Sequence, residues 1–84
     1  MEVVIHPRVQ KYIDATGEKE SILKHLKKLS QDPFNMRSGM DIKRLKGRDQ
    51  DLFRLRIGDH RFEYFVEDNR IWLDDAFRRG RGSR

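Results

Sequence analysis

From Leu52 to Leu73 the chain alternates apolar and polar residues with period two, and two short turn signals punctuate the run. Gly58-Asp59 separates Phe53, Leu55 and Ile57 from Phe62, Tyr64 and Val66, and Asp68-Asn69 separates these from Ile71 and Leu73. If each is a two-residue turn, the pairing is fixed. Ile57 then faces His60, Arg56 faces Arg61, Leu55 faces Phe62, Arg54 faces Glu63 and Phe53 faces Tyr64. Across the second turn Val66 faces Ile71, Phe65 faces Trp72, Tyr64 faces Leu73 and Glu63 faces Asp74. Both turns assign the same residues to the same face, and a one-residue slip would turn the whole apolar set toward water. An antiparallel meander follows, with central strands over roughly 52–57 and 61–67. One face is apolar. The other carries Arg54 beside Glu63 and Asp74, Arg56 beside Arg61, and an aromatic patch of Phe65 and Trp72.

An apolar sheet face needs a cover, and the first third of the chain supplies it. Val3 to Ile5 form a short opening strand, Pro7 suits the first turn of a helix, and Val9, Tyr12 and Ile13 recur at helical spacing. That helix should stop before Thr16-Gly17. A second, from about Glu18 to Leu29, places Ile22, Leu26 and Leu29 on one stripe, with Lys24, Lys27 and Lys28 largely off it. Gln31 to Asp41 contains Asp32-Pro33, Asn35 and Ser38-Gly39 and reads as a loop pinned to the core by Phe34, Met36 or Met40. Ile42 to Leu45 form a brief strand, and Lys46-Gly47-Arg48-Asp49 turns the chain again. The expected class is α+β: an N-terminal strand and helical hairpin packed on a small, mainly antiparallel sheet.

With 84 residues there is material for one core, so residues 1–84 are expected to make a single domain. Charged residues (39%) outnumber hydrophobic ones (36%), so each element can afford only one buried face. The absence of cysteine excludes a disulfide scaffold and thiolate chemistry. No apolar run approaches the roughly 20 residues of a membrane span, and the start lacks the pattern of a signal peptide. A cytoplasmic protein without a membrane partner is the expectation.

The net charge of +5 fits a nucleic-acid or acidic-protein partner, and its distribution says more than its sum. Every lysine lies between Lys11 and Lys46. Beyond that point all basic residues are arginine: Arg48, Arg54, Arg56, Arg61, Arg70, Arg78, Arg79, Arg81 and Arg84. Arginine's planar fork suits phosphate oxygens, so the second half reads as the working surface. Arg56 opposite Arg61 costs stability, and something should compensate. If the third strand runs on through Ala76, Arg78 or Arg79 comes to the same region. Three readings stand at this point: a solvated face whose arginines pair with Glu63, Glu67 and Asp74; a phosphate-binding surface; and a catalytic one.

For catalysis the missing residue types are informative. There is no cysteine nucleophile, no metal-spaced histidine pair, no Walker-type glycine loop and no HExxH. His6, His25 and His60 are scattered, with His60 expected to be exposed beside the turn. Asp74 and Asp75 would point to opposite faces of a strand, and turn duty explains Asp49 and Asp51. RNA hydrolysis fits these limits because the neighbouring 2′-hydroxyl is itself the nucleophile. The protein must then align that hydroxyl and neutralise developing charge, which arginines can do. Arginine, with a pKa above about 12, is a poor general base, so positioning and electrostatics dominate.

Taken together, Leu45-Lys46-Gly47, the run from Phe53 through Gly58-Asp59-His60-Arg61, Tyr64 and the terminal Arg79-Gly80-Arg81 resemble the RelE/ParE toxin superfamily, in particular archaeal RelE-like toxins. The resemblance covers essentially the whole chain. It implies an opening strand beside the last strand, and the toxin of a type II toxin–antitoxin system. It further implies a metal-independent, ribosome-dependent mRNA endonuclease that cleaves in the A site and inhibits translation. Its partners would be the ribosome, mRNA and a cognate RelB-like antitoxin, with no small-molecule cofactor and no metal. Arg54, Arg56, Arg61 and Arg79 match the catalytic set: Arg61 would grip the scissile phosphate, and Arg79 would assist leaving-group protonation. Lys46, Arg48, Arg70, Arg78, Arg81 and Arg84 would contribute RNA or ribosome contacts. One departure is Ser83, which stands where many relatives have a base-stacking tyrosine and which implies weakened activity. ParE-type gyrase inhibition, or RNA or ribosome binding without cleavage, are the alternatives.

Overall fold

The computed structural model describes residues 1–34, 41–45 and 51–80. The expectations placed on Met36, Met40, the Lys46–Asp49 turn, Arg81, Ser83 and Arg84 lie outside these residues. The elements run β1 (Glu2–Ile5), α1 (Pro7–Thr16), α2 (Lys19–Gln31), β2 (Asp41–Leu45), β3 (Leu52–Ile57), β4 (His60–Glu67) and β5 (Arg70–Arg78). They form a five-stranded sheet in the order β1-β5-β4-β3-β2. β1 lies parallel to β5 and the other neighbours are antiparallel, as the α+β reading expected. No helix among the described residues is long and apolar enough to cross a membrane.

Local chemistry accounts for the element ends. His6 caps α1 by accepting the Arg8 backbone N–H on Nδ1 at 3.1 Å, with Pro7 in the first turn where its missing N–H costs nothing. Gly17 closes α1 at φ 78, in the left-handed region. Asp68 and Asn69 both take left-handed angles (φ 54 and 59), as a type I′ turn requires.

The β3–β4 register is the one read from the sequence, residue for residue, from Phe53 opposite Tyr64 to Ile57 opposite His60. Phe53, Leu55, Ile57, Phe62, Tyr64, Ile71 and Leu73 are buried beneath Val9 and Ile13 of α1 and Ile22, Leu26 and Leu29 of α2, while Val66 packs half-buried against them. Pro33 is buried and its carbonyl accepts the Tyr64 hydroxyl at 2.6 Å. Phe34 lies edge-on against Phe53, at 5.4 Å between ring centroids, which ties the end of α2 to the sheet.

One pairing differs. The β4–β5 ladder holds from Glu67–Arg70 to Tyr64–Leu73, then shifts by one residue, so that Glu63 faces Asp75 and not Asp74. Strict alternation would have put Asp75 opposite Phe62 in the core, where an unpaired carboxylate is costly. The bulge avoids this by leaving Asp74 outside the ladder, where its carboxylate lies 3.6 Å from Arg8. Ala76 then takes the place opposite Phe62, and Phe77 turns to the outer face opposite Arg61.

Candidate functional site

The outer sheet face near the β3–β4 turn collects the cations. Arg56 and Arg61 are direct cross-strand partners, and Lys43 of β2 is paired with Arg54. Asp41, Lys43, Arg54, Arg56 and Arg61 line a depression of about 140 Å³. A whole small molecule needs about 300 Å³ or more, so this hollow suits one group such as a phosphate.

Each arginine is held differently. Arg54 donates to Glu63 Oε2 from Nη2 at 2.8 Å and from Nε at 3.3 Å, and its guanidinium lies 5.3 Å from the centre of the Phe77 ring. Both side chains of that pair are mostly buried, so Arg54 is a fixed charge. Arg56 pairs with Asp41, both half-exposed, which is the compensation the Arg56–Arg61 repulsion called for. Arg61 makes no ion pair among the described residues. Its Nη1 donates to the backbone carbonyls of Gly58 at 2.9 Å and His60 at 3.1 Å. Burial first, then the charges of Arg56 and Arg79, lower its pKa from the ordinary arginine value. The guanidinium stays cationic, and unlike those of Arg54 and Arg56 it has no carboxylate in direct contact among the described residues.

Arg79 enters from the end of β5, where its backbone N–H donates to the Asp59 carbonyl at 2.7 Å. Arg78 does not join the cluster: it pairs with His60, whose side chain points to the helix side, and its charge acts on the Tyr12 phenol. The bulge decides this, because it sets the parity of every β5 residue beyond Asp74. Arg70 is separate too. It lies at the far end of the β4–β5 pair and donates from Nε to Glu2 at 3.0 Å. Six residues of β4 separate that end from Arg61, about 20 Å at strand rise. Lys46, Arg48, Arg81 and Arg84 fall outside the described residues. Phe65 and Trp72 stack at 6.2 Å and 11° on the same face, four residues from Arg61 along β4.

His60 corrects the expectation of an exposed turn histidine: it is 1% exposed. The hairpin register already placed it opposite buried Ile57, so the signal was present. Lys43 and Asp41 are additions to the site. Their register on β3 depends on the connection after Leu45, which carries no two-residue turn signal.

No family model and no curated protein matches the chain significantly. Solved structures do. Over 96% of its length the chain superposes on 97% of a chain of the archaeal RelE–RelB complex from Pyrococcus horikoshii OT3, with a TM-score of 0.80 and 29% identity. The fold is RelE-like. A chain of the RelB–RelE antitoxin–toxin complex from Methanococcus jannaschii has the same fold, with a TM-score of 0.63 and 18% identity over 93% of this chain and 89% of that one. In this RelE-like chain the arginine cluster occupies the outer sheet face opposite the helices, at the end of the sheet where the β3–β4 hairpin turns.

Proposed function

We propose that this chain is the toxin of a type II toxin–antitoxin pair, a ribosome-dependent and metal-independent mRNA endonuclease of the cytoplasm, held silent by a RelB-like antitoxin. The likeness to proteins solved in RelE–RelB complexes supports the toxin–antitoxin reading. The observation that carries the chemistry is Arg61, a half-buried cation without an acidic partner among the described residues, flanked by Arg56 and Arg79. Such a cluster repels itself until an anion enters, and the depression that Arg56 and Arg61 line has the size for one phosphate.

The reaction follows from the substrate's own nucleophile. The ribose 2′-hydroxyl loses its proton to solvent as its oxygen attacks the adjacent phosphorus, the bond to the 5′-oxygen of the next nucleotide breaks, and that oxygen takes up a proton, leaving a 2′,3′-cyclic phosphate and a 5′-hydroxyl. Arg61 stabilises the negative charge that builds on the phosphoryl oxygens, and Arg56 and Lys43 add to the field. Arg54, fixed by Glu63 and Phe77, holds the electrostatic floor of the depression. Arg79 assists departure of the 5′-oxygen. Because no arginine is an efficient base at neutral pH, alignment of substrate by the ribosome carries much of the rate, which is the physical reason for expecting slow cutting of free RNA.

Primer extension on mRNA from a translating extract tests this. The proposal expects new 5′ ends within translated codons and little cutting of free RNA. Accumulated DNA breaks with intact mRNA would replace it by the gyrase-inhibitor reading, and salt-sensitive ribosome binding without cleavage by the binding-module reading.

A further inference from the structure

We propose that Tyr12, His60 and Glu18 form a positioning clamp that fixes the β3–β4 turn and thereby the guanidinium of Arg61. The consequence for cleavage rests on the ribonuclease reading above; the geometric claim does not. His60 is the buried polar residue of the described core, and both ring nitrogens are engaged. Tyr12 Oη lies 2.7 Å from Nδ1, and Glu18 Oε2 lies 3.3 Å from Nε2. The Tyr12 and His60 rings meet edge to face, at 5.6 Å and 84°.

The proton positions follow from the partners. Burial raises the Tyr12 pKa, Arg78 opposes this, and Glu18 and Asp59 add to the rise, so the phenol keeps its proton and donates it to Nδ1. Nε2, 3.3 Å from the Glu18 carboxylate, then carries the ring hydrogen, and the nearby negative charge favours that tautomer. A side chain of α1 and one at the start of α2 therefore grip the first residue of β4 from the helix side.

On the opposite side the same short segment holds the cluster. The carbonyls of Gly58 and His60 accept from Arg61 Nη1, and the carbonyl of Asp59 accepts the Arg79 N–H. Three consecutive carbonyls thus locate two arginines that repel one another, and they can do so only while the turn is held. A buried apolar residue at position 60 would fill the space without directing the turn. The polar trio adds direction: the Tyr12–His60 hydrogen bond has an angular optimum, and Glu18 favours the ring tautomer that receives it.

Tyr12→Phe removes one hydroxyl at constant shape, and Glu18→Ala and Glu18→Gln alter a side chain that is 57% exposed, so all three variants should keep the fold, as circular dichroism will verify. The first readout is the Arg61 Nε–Hε NMR resonance, which needs no catalysis. It should move or broaden in Tyr12→Phe and Glu18→Ala and return in Glu18→Gln, whose amide oxygen can still face Nε2 and favour the same tautomer. The second is single-turnover cleavage in the ribosome complex. The maximal rate should fall about tenfold or more in Tyr12→Phe and Glu18→Ala, since small misplacements of a reacting group carry such factors. The half-saturating ribosome concentration should stay within about twofold, and Glu18→Gln should restore the rate. An Arg61 resonance and a maximal rate unchanged in both variants would overturn the clamp, as would a loss confined to ribosome affinity. A wild-type chain that cleaves nothing would end the ribonuclease reading, and the resonance alone would then decide the clamp.

Discussion

Deleting Asp74 should leave the protein folded, although removal of one residue from a β-strand ordinarily inverts every face beyond it. Asp74 is the residue that the ladder leaves out, so its removal makes the pairing regular: Tyr64 stays opposite Leu73, Glu63 opposite Asp75 and Phe62 opposite Ala76. β1 is untouched, because its pairing with β5 ends at Leu73. What is lost is two exposed contacts of Arg8, its Nε hydrogen bond to the Asp74 backbone carbonyl at 2.9 Å and its 3.6 Å approach to the Asp74 carboxylate, together worth about 1–2 kcal/mol. For a domain of this size each kcal/mol shifts the melting temperature by about 4–8 °C. Deleting Trp72 should do the opposite. The ladder beyond it could stay in register only with Leu73 outside and Asp74 against Tyr64. That forfeits about 1.5–3 kcal/mol of leucine burial and adds several for a desolvated carboxylate. The sum rivals the total stability of about 5–15 kcal/mol of a natural domain. Thermal and urea denaturation of the two deletion variants provide the assay. An unfolded Asp74 deletion, or equal tolerance of both deletions, would refute the register argument and the face assignments that rest on it.

Replacing Tyr64 with Phe strands the buried Pro33 carbonyl and should cost about 1–2 kcal/mol in urea denaturation. Burial, with Asp32 nearby, raises the Tyr64 pKa, so the folded state holds that proton more tightly than the unfolded state. The associated stability is fully present below pH 10.0, the ordinary tyrosine value, and falls as pH rises beyond it; spectrophotometric titration should show Tyr64 ionising only with unfolding. Glu63→Ala leaves the Arg54 cation without its carboxylate. It should lower stability by about 1 kcal/mol and tighten phosphate-dependent RNA binding, read as a salt slope steeper by about one ion.

Much of this architecture is legible in the sequence because two short turns bracket one alternating run, and each turn fixes a register that the other must share. The bulge is legible too, in retrospect: Leu73-Asp74-Asp75-Ala76 places two acidic residues where alternation allows one outside, and a bulge is the way to keep both out of the core. Missing it assigned Asp74 to the partner position of Asp75 and left the side of Arg78 open. His60 shows a different failure. Its nearness to a glycine turn suggested exposure, while its cross-strand partner Ile57 required burial, and the pairing rule was the stronger of the two. Lys43 and Asp41 were out of reach, since nothing in the sequence sets the register of β2 on β3. The separation of Arg70 from the cluster, by contrast, follows from counting residues along β4.

The central claim is that Arg61 is a transition-state cation and not one basic surface residue among many. Single-turnover cleavage by Arg61→Ala, Arg79→Ala and Arg70→Ala variants at saturating ribosomes tests it most directly. The account predicts a loss of about 10²-fold or more in rate for Arg61→Ala and Arg79→Ala, with ribosome affinity largely kept. Arg70→Ala should stay within about threefold, because that side chain is tied to Glu2 at the far end of the sheet. Equal, small losses for all three arginines would contradict the account and leave only a basic binding surface.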